Sequence, residues 1–140
     1  MKTFPLLFLL IFLTGCSFNS FHFTEYQMDR SSESNAKIRD IVRDISKKYD
    51  LKEETDLAVA SHTVIYCSNL GLFSIIAIRA YDDENFVIVS LREGKSGSTP
   101  SEKYVEIKNE LTRKLKDAFG EMVVIEDKID KMKSKDMEIH

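Results

Sequence analysis

The length and composition of the chain are those of one folded domain. It has 140 residues, of which 43% are hydrophobic and 31% are charged, and a disordered chain would be less apolar. Because Lys2 is the only charged residue among the first 15, the rest of the chain carries 19 Lys and Arg against 23 Asp and Glu. Charges of both signs are interleaved, which excludes a basic surface built for nucleic-acid phosphates. The two cysteines, Cys16 and Cys67, exclude a disulfide framework unless they pair with each other.

The first 15 residues have the pattern of a signal peptide. Residues 1–3 carry one positive charge, residues 4–13 are apolar except for Pro5, and Thr14 and Gly15 follow. An apolar run of this length is about half of the 20 or so residues that a membrane-spanning helix needs. We therefore interpret residues 1–15 as a cleaved leader.

The four residues Leu13-Thr14-Gly15-Cys16 directly follow the apolar run. They resemble the lipobox of bacterial lipoprotein precursors, in which an aliphatic residue, a small or β-branched residue, and Gly or Ala precede Cys. The resemblance implies cleavage between Gly15 and Cys16, a diacylglyceryl group on the Cys16 thiol, and acylation, typically by palmitate, of the new amino terminus. Two or more acyl chains hold a protein stably on a membrane. An ordinary secretory signal followed by a chance cysteine is the alternative.

The residue after the lipobox cysteine bears on sorting in the same class of precursors. Ser17 is not the Asp that favours retention in the inner membrane. The resemblance therefore implies an outer-membrane lipoprotein facing the periplasm in a host with two membranes, and the outer face of the cell membrane in any other host.

Residues 16–33 are predicted to be a lipidated tether, because they are polar, rich in Ser and Asn, and lack a helical period. The aromatic residues Phe18, Phe21, Phe23 and Tyr26 are numerous for a spacer. They leave two interpretations open: contact with the membrane interface, or a short edge strand over residues 21–26.

Two amphipathic helices are predicted. The first covers residues 34–49, with Ser34 or Asn35 as its N-cap, and the second follows a capping box in which Thr99 is the N-cap and Glu102 is N3. Gly120 is predicted to end the second helix. The apolar stripes are Ile38, Ile41, Val42, Ile45 and Tyr49 in the first helix, and Tyr104, Ile107, Leu111, Leu115 and Ala118 in the second.

Between the helices, β-branched and aromatic runs at residues 57–67, 72–81 and 86–92 alternate with short turns and predict an antiparallel meander. Residues 122–126 predict a last strand, which a crossover would place beside the first of these strands. Residues 128–140 are charged and are predicted to form a flexible or loosely helical tail.

The predicted fold class is therefore α+β. We expect a two-layer sandwich in residues 34–127, with the order α-β-β-β-α-β, a mainly antiparallel sheet and both helices on one face. The other face of the sheet is then the natural place for a partner.

The motifs that could carry chemistry are weak. The stretch Glu93-Gly94-Lys95-Ser96-Gly97 lacks the first Gly of a phosphate-binding loop, whose position is occupied by Val89. His62 and Cys67 on one strand would lie about 16 Å apart on opposite faces, so a nucleophile–base pair is not predicted. Cys67 is instead expected to be a small buried hydrophobe.

Metal binding is not predicted either. His22, His62 and His140 are far apart in the sequence, and the acidic residues of 82–85 lack the spacing and Gly of a calcium loop. No catalytic, cofactor-binding or nucleotide-binding set of residues emerges.

These patterns predict a non-enzymatic, membrane-anchored envelope lipoprotein that acts as a binding or accessory subunit of an envelope complex. Its expected partners are the membrane, through the lipid on Cys16, and an envelope protein. The alternative function is an inhibitor or immunity lipoprotein that neutralises a toxin or hydrolase in the periplasm. An unrecognised enzyme is the least favoured class.

Overall fold

The computed structural model describes five segments of the chain, namely residues 20–54, 62–72, 74–97, 99–120 and 123–131. The predicted leader, the lipidation position Cys16 and residues 132–140 lie outside the described residues.

The described residues form an α+β fold with two helices and a six-stranded antiparallel sheet, which confirms the predicted class. The strand order in the sheet is β2-β3-β4-β5-β1-β6. The elements are β1 (Ser20–Asp29), α1 (Ser32–Lys48), β2 (Lys52–Glu53), β3 (Thr63–Leu70), β4 (Ser74–Asp82), β5 (Phe86–Lys95), α2 (Glu102–Phe119) and β6 (Val124–Lys131).

The largest difference from prediction is β1, which occupies residues expected to be a tether. Ser20–Asp29 is a strand of 10 residues whose burial alternates. It is not an edge strand, because β5 and β6 pair with its two sides. Tyr26 and Met28 belong to the core, which explains why this segment is ordered as part of the domain.

The predicted meander is formed by β3, β4 and β5, but β3 extends to Leu70, beyond the predicted end at residue 67, and the short strand β2 was not predicted. β3, β4 and β5 pair in sequence order and antiparallel, but β5 continues to Lys95, beyond the predicted end at residue 92. The last strand does not return beside β3. It pairs with β1 and extends to Lys131, so residues 128–131 belong to the sheet rather than to a tail.

One hydrophobic core joins the helices to the sheet. The predicted stripes supply its helical part, because Ile38, Val42 and Ile45 of α1 are buried with their counterparts in α2, which are Tyr104, Ile107, Leu111 and Leu115. Alternate positions of β5 supply part of the sheet contribution, because Val87, Val89 and Leu91 are 0% exposed.

Both helices begin at a serine that the sequence did not single out. Ser31 caps α1 in a capping box with Ser34, whose backbone N–H donates to Ser31 Oγ at 3.0 Å. Ser101 caps α2, and its Oγ accepts from the Tyr104 N–H at 3.1 Å. The predicted cap at Thr99 is wrong because the backbone becomes helical only at Glu102. Gly120, with φ 72°, ends α2 as predicted.

Candidate functional site

The side of the sheet that faces away from the core cluster, which we call the open face, carries aromatic and cationic side chains together with the acidic residues Glu25 and Glu126. The strand register places its residues at alternate positions of five strands. Its central members are half-buried or exposed, and they are Phe21, Phe23, Tyr66, Arg79, Tyr81, Ile88, Arg92 and Lys128.

Cations flank the aromatic rings of the open face. Phe23 lies between Arg92 and Lys128 in the register, and the Arg92 guanidinium carbon and the Lys128 Nζ are 5.7 Å and 5.8 Å from the ring centroid. The Arg79 guanidinium carbon is 5.0 Å from the centre of the Tyr81 ring. Cation–π contacts of this kind contribute about 0.5–1 kcal/mol at exposed sites.

The backbone of β5 also shapes this surface at Gly94, which pairs with Phe21. A Cβ at position 94 would lie 2.8 Å from Phe21 Cε1. Glycine therefore allows the ring to lie directly over the strand.

The two arginines are neighbours on the open face without carboxylate partners. Arg79 pairs with Ser90, and Arg92 lies two residues further along β5, so the guanidiniums occupy diagonal positions on adjacent strands. Arg92 Nε donates to Ser90 Oγ at 3.1 Å. Within the described segments neither guanidinium has a carboxylate oxygen within 4.0 Å. A carboxylate bridging both guanidiniums would be bound by charge-assisted hydrogen bonds.

A buried polar cluster lies on the core side, beneath the first turn of α2. Glu93, only 1% exposed, accepts from the Ser101 backbone N–H at 2.8 Å and from the Ser101 hydroxyl. His22, its partner in the register of β1 and β5, is 3% exposed. The His22 ring lies 6.2 Å from the Tyr104 ring, and its Nε2 has no hydrogen-bond partner among the described residues. These groups anchor the start of α2 to the sheet.

A chain of hydrogen bonds continues from this cluster to β6. Thr24 Oγ1 lies 2.8 Å from the Tyr104 hydroxyl and donates to Asp127 Oδ1 at 2.7 Å. Lys108 Nζ donates to Asp127 Oδ2 at 2.8 Å. Burial alone would raise the pKa of Asp127, but the hydrogen bonds from Lys108 and Thr24 hold it below its usual value. Burial raises the pKa of Tyr26, on the next inward position of β1, to about 12.

The structure separates His62 from Cys67. Cys67 is fully buried, as expected for a small hydrophobe, and burial raises the pKa of its thiol. His62 is exposed in the turn before β3, where its carbonyl accepts from the Asp82 N–H at 2.8 Å.

An open groove of about 370 Å³ beside Cys67 is lined by Arg43, Ser46, Lys47, Leu51 and Glu53. Burial and the raised pKa disfavour the thiolate form that a nucleophilic cysteine needs.

The other sequence candidates are placed apart. Asp83 and Glu84 are exposed in the turn after β4, while Asp82 accepts from Asn35 Nδ2 at 3.2 Å. Glu93 belongs to β5 rather than to a phosphate-binding loop. The described residues contain no group of three or more His, Cys, Asp or Glu side chains that could hold a metal ion. His140, Gly15 and Cys16 lie outside the described residues.

Comparison with protein-family models and with curated proteins gives no significant match for this chain. None of the helices in the described segments is long and apolar enough to cross a membrane.

Sequence reasoning missed both polar features of the sheet. The proximity of Arg79 and Arg92 was not predicted, because the two are 13 positions apart and meet only through the register of β4 and β5. Glu93 lies outside the strand predicted over residues 86–92. The available signal was the alternation of inward residues Val87, Val89 and Leu91, which continues to position 93.

Proposed function

We propose that this protein is a lipid-anchored envelope lipoprotein whose domain is a non-enzymatic binding or accessory subunit of an envelope complex. The lipobox at residues 13–16 supports the anchor and an outer-membrane location facing the periplasm in a two-membrane host. In this proposal the domain is the predicted two-layer sandwich, with both helices on one face of the sheet and the open face turned to the partner.

The observation that carries the proposal is the pair Arg79 and Arg92 on the open face. Each guanidinium lies beside an aromatic ring, and no described carboxylate oxygen is within 4.0 Å of it, although Glu25 shares the face and pairs with Ser90. Arginine, tyrosine and phenylalanine are the residue types enriched at protein interfaces. The partner that fits this surface is a protein segment carrying carboxylates, which can accept paired hydrogen bonds from the planar guanidinium groups.

The rings beside the arginines add to this fit. Phe23 and Tyr81 contact the guanidiniums through cation–π interactions, which limits the side-chain freedom that binding would otherwise remove. A carboxylate docking between Arg79 and Arg92 would also be shielded from water by the surrounding aromatic side chains. Removal of one partner of such a desolvated charge pair typically costs about 2 kcal/mol or more in binding.

The test is co-purification from detergent-solubilised membranes with a tagged, lipidated protein, followed by measurement of affinity for the purified partner. We expect the double variant Arg79→Glu/Arg92→Glu to lose the partner, with affinity reduced roughly thirtyfold or more. The matched control is Arg113→Glu, an exposed arginine on α2 whose side chain is 63% exposed, and it should retain the partner. Equal binding by the double variant and the control would refute the assigned surface.

The identity of the captured protein decides between the two envelope roles. A stoichiometric membrane complex supports the accessory role, whereas a secreted toxin or hydrolase would replace it by the inhibitor or immunity role. The anchor is tested separately with Cys16→Ala. This variant should lose metabolic lipid labelling and leave the membrane fraction, and unchanged labelling and fractionation would contradict lipidation at Cys16.

A further inference from the structure

The distance from the proposed anchor to the folded domain is short. β1 begins at Ser20, which is the fourth residue after Cys16. A fully extended chain spans at most about 3.6 Å per residue, so the Cα atoms of Cys16 and Ser20 are separated by no more than about 14 Å. If Cys16 carries acyl chains, one end of the sheet is held close to the lipid head groups.

The strand register shows which residues share that end of the sheet, which we call the anchor end. Ser20 pairs with Lys95 of β5 and with Lys131 of β6, and Lys95 pairs in turn with Ser74 at the start of β4. Neighbouring strands lie about 4.8 Å apart. The turn between β3 and β4, at residues 70–74, is therefore about 10–15 Å along the sheet from Ser20.

Two leucines project from this turn into solvent. Leu70 is 75% exposed and Leu72 is 88% exposed. The turn that carries them is closed by a hydrogen bond from the Gly71 N–H to the Ser74 carbonyl at 2.8 Å. These are two of the four large hydrophobic residues that are exposed among the described residues, and Leu72 is the most exposed of them.

We propose that the turn carrying Leu70 and Leu72 inserts into the membrane interface beside the lipid on Cys16. Apolar side chains at such an interface reach about 5–10 Å into the boundary between head groups and acyl chains. Lys95 lies at the anchor end, where an ammonium group can contact lipid phosphates. This inference rests on the proposed lipidation of Cys16.

The short connection also explains why the membrane, rather than a protein, covers these leucines. A gap of about 14 Å or less between anchor and domain leaves no room for a folded protein between the anchor end and the lipid surface. With strands running away from the membrane, the open face is turned sideways, where a partner in the same membrane or in the adjoining compartment can reach it.

The experiment places an environment-sensitive fluorophore, nitrobenzoxadiazole, on single cysteines of the lipidated protein. The positions are Leu72→Cys and, as a control at the far end of the sheet, Glu84→Cys. Both are made in a Cys67→Ala background, so that the introduced thiol is free while Cys16 is blocked by lipid. The proteins are reconstituted into vesicles of phosphatidylethanolamine and phosphatidylglycerol, with and without lipids that carry a doxyl quencher.

We expect the label at position 72 to emit at shorter wavelength in vesicles and to lose fluorescence when doxyl lipids are present. The label at position 84 should show neither change, because β4 separates the two ends by about 30 Å. A Leu70→Asp substitution added to the Leu72→Cys protein should reduce the quenching. Circular dichroism melting curves check that each variant is folded.

Two results would overturn the inference in different ways. If the protein floats with vesicles but the labels at 72 and 84 are equally exposed to water, insertion of the turn is refuted while lipidation stands. If mass spectrometry finds no lipid on Cys16 and the protein does not float, the proposed anchor fails, and the inference fails with it.

Discussion

Glu93 lies where β5 passes beneath the first turn of α2, and its removal is expected to weaken the domain measurably. The carboxylate is 1% exposed and accepts two hydrogen bonds from Ser101, the N-cap of α2. A negative charge at this position also interacts favourably with the N-terminal end of the helix dipole. Glu93→Ala removes these interactions and leaves the Ser101 N–H without its acceptor.

The magnitude follows from these bonds. Hydrogen bonds to charged groups contribute about 1.5–3 kcal/mol each, so their gross loss is about 3–6 kcal/mol. Part of this is offset, because the variant no longer buries a carboxylate. We expect a net decrease of about 2–3 kcal/mol in the free energy of unfolding for Glu93→Ala. Glu93→Gln keeps one side-chain oxygen as acceptor and should cost about 1 kcal/mol.

The assay is urea unfolding at pH 7, followed by circular dichroism, on the chain without its leader and without lipid. Glu102→Ala is the matched control, because Glu102 is an exposed acidic residue in the first turn of the same helix. Its loss should cost about 0.3–1 kcal/mol. If Glu93→Ala destabilises the domain no more than Glu102→Ala, the buried carboxylate does not hold α2 to the sheet.

Four further substitutions test the core, the buried thiol and one ion pair. Leu111 is 0% exposed, so Leu111→Ala should lower the free energy of unfolding in urea by about 2–5 kcal/mol. Val105 on α2 is 41% exposed, so Val105→Ala should change that free energy by less than about 0.5 kcal/mol. Similar values for both variants would contradict the assigned burial. Burial raises the pKa of Cys67, so its thiol should react with iodoacetamide only after unfolding, and Cys67→Ser should cost about 1–3 kcal/mol. Rapid alkylation of the native protein would refute this. The hydrogen bond from Lys48 lowers the pKa of Glu110. The stability that this bond contributes is therefore fully present above the unfolded-state pKa of about 4.3. It is lost as the pH falls through the lower pKa of the folded state. Glu110→Gln should therefore lower the free energy of unfolding at pH 7 by less than about 1 kcal/mol. The difference from wild type should vanish in acid. A difference that grows in acid would contradict the direction of the pKa shift.

The elements that were predicted well are those whose hydrophobic pattern is complete within the element itself. Most stripe residues of α1 and α2 are buried as expected, although Ile41 and Tyr49 are only partly buried and Ala118 is exposed. The strands of the meander are rich in β-branched residues. Their signals are local, because the helical and strand periods are set by the backbone. Helix starts were less accurate, since several serines compete for the cap and packing selects one of them.

β1 was anticipated only as one of two interpretations, a short edge strand over residues 21–26, because three of its five inward positions are polar. Ser20, His22 and Thr24 are buried, yet they interrupt the alternation of apolar and polar residues by which a strand is recognised. Thr24 bonds with Tyr104 and Asp127, which lie 80 and 103 positions away. No local pattern contains such partners.

The sequence alone determined the helical and strand periods, the α+β class and the predicted lipidation site at Cys16, because each depends on residues that are neighbours in the chain. The tertiary structure decided that β1 enters the sheet four residues after Cys16, that Arg79 and Arg92 become neighbours, and that Leu70 and Leu72 share an end of the sheet with Ser20. These three relations depend on strand register. Register is set by the side chains that pack and bond across the whole domain, and only the folded chain brings those side chains together.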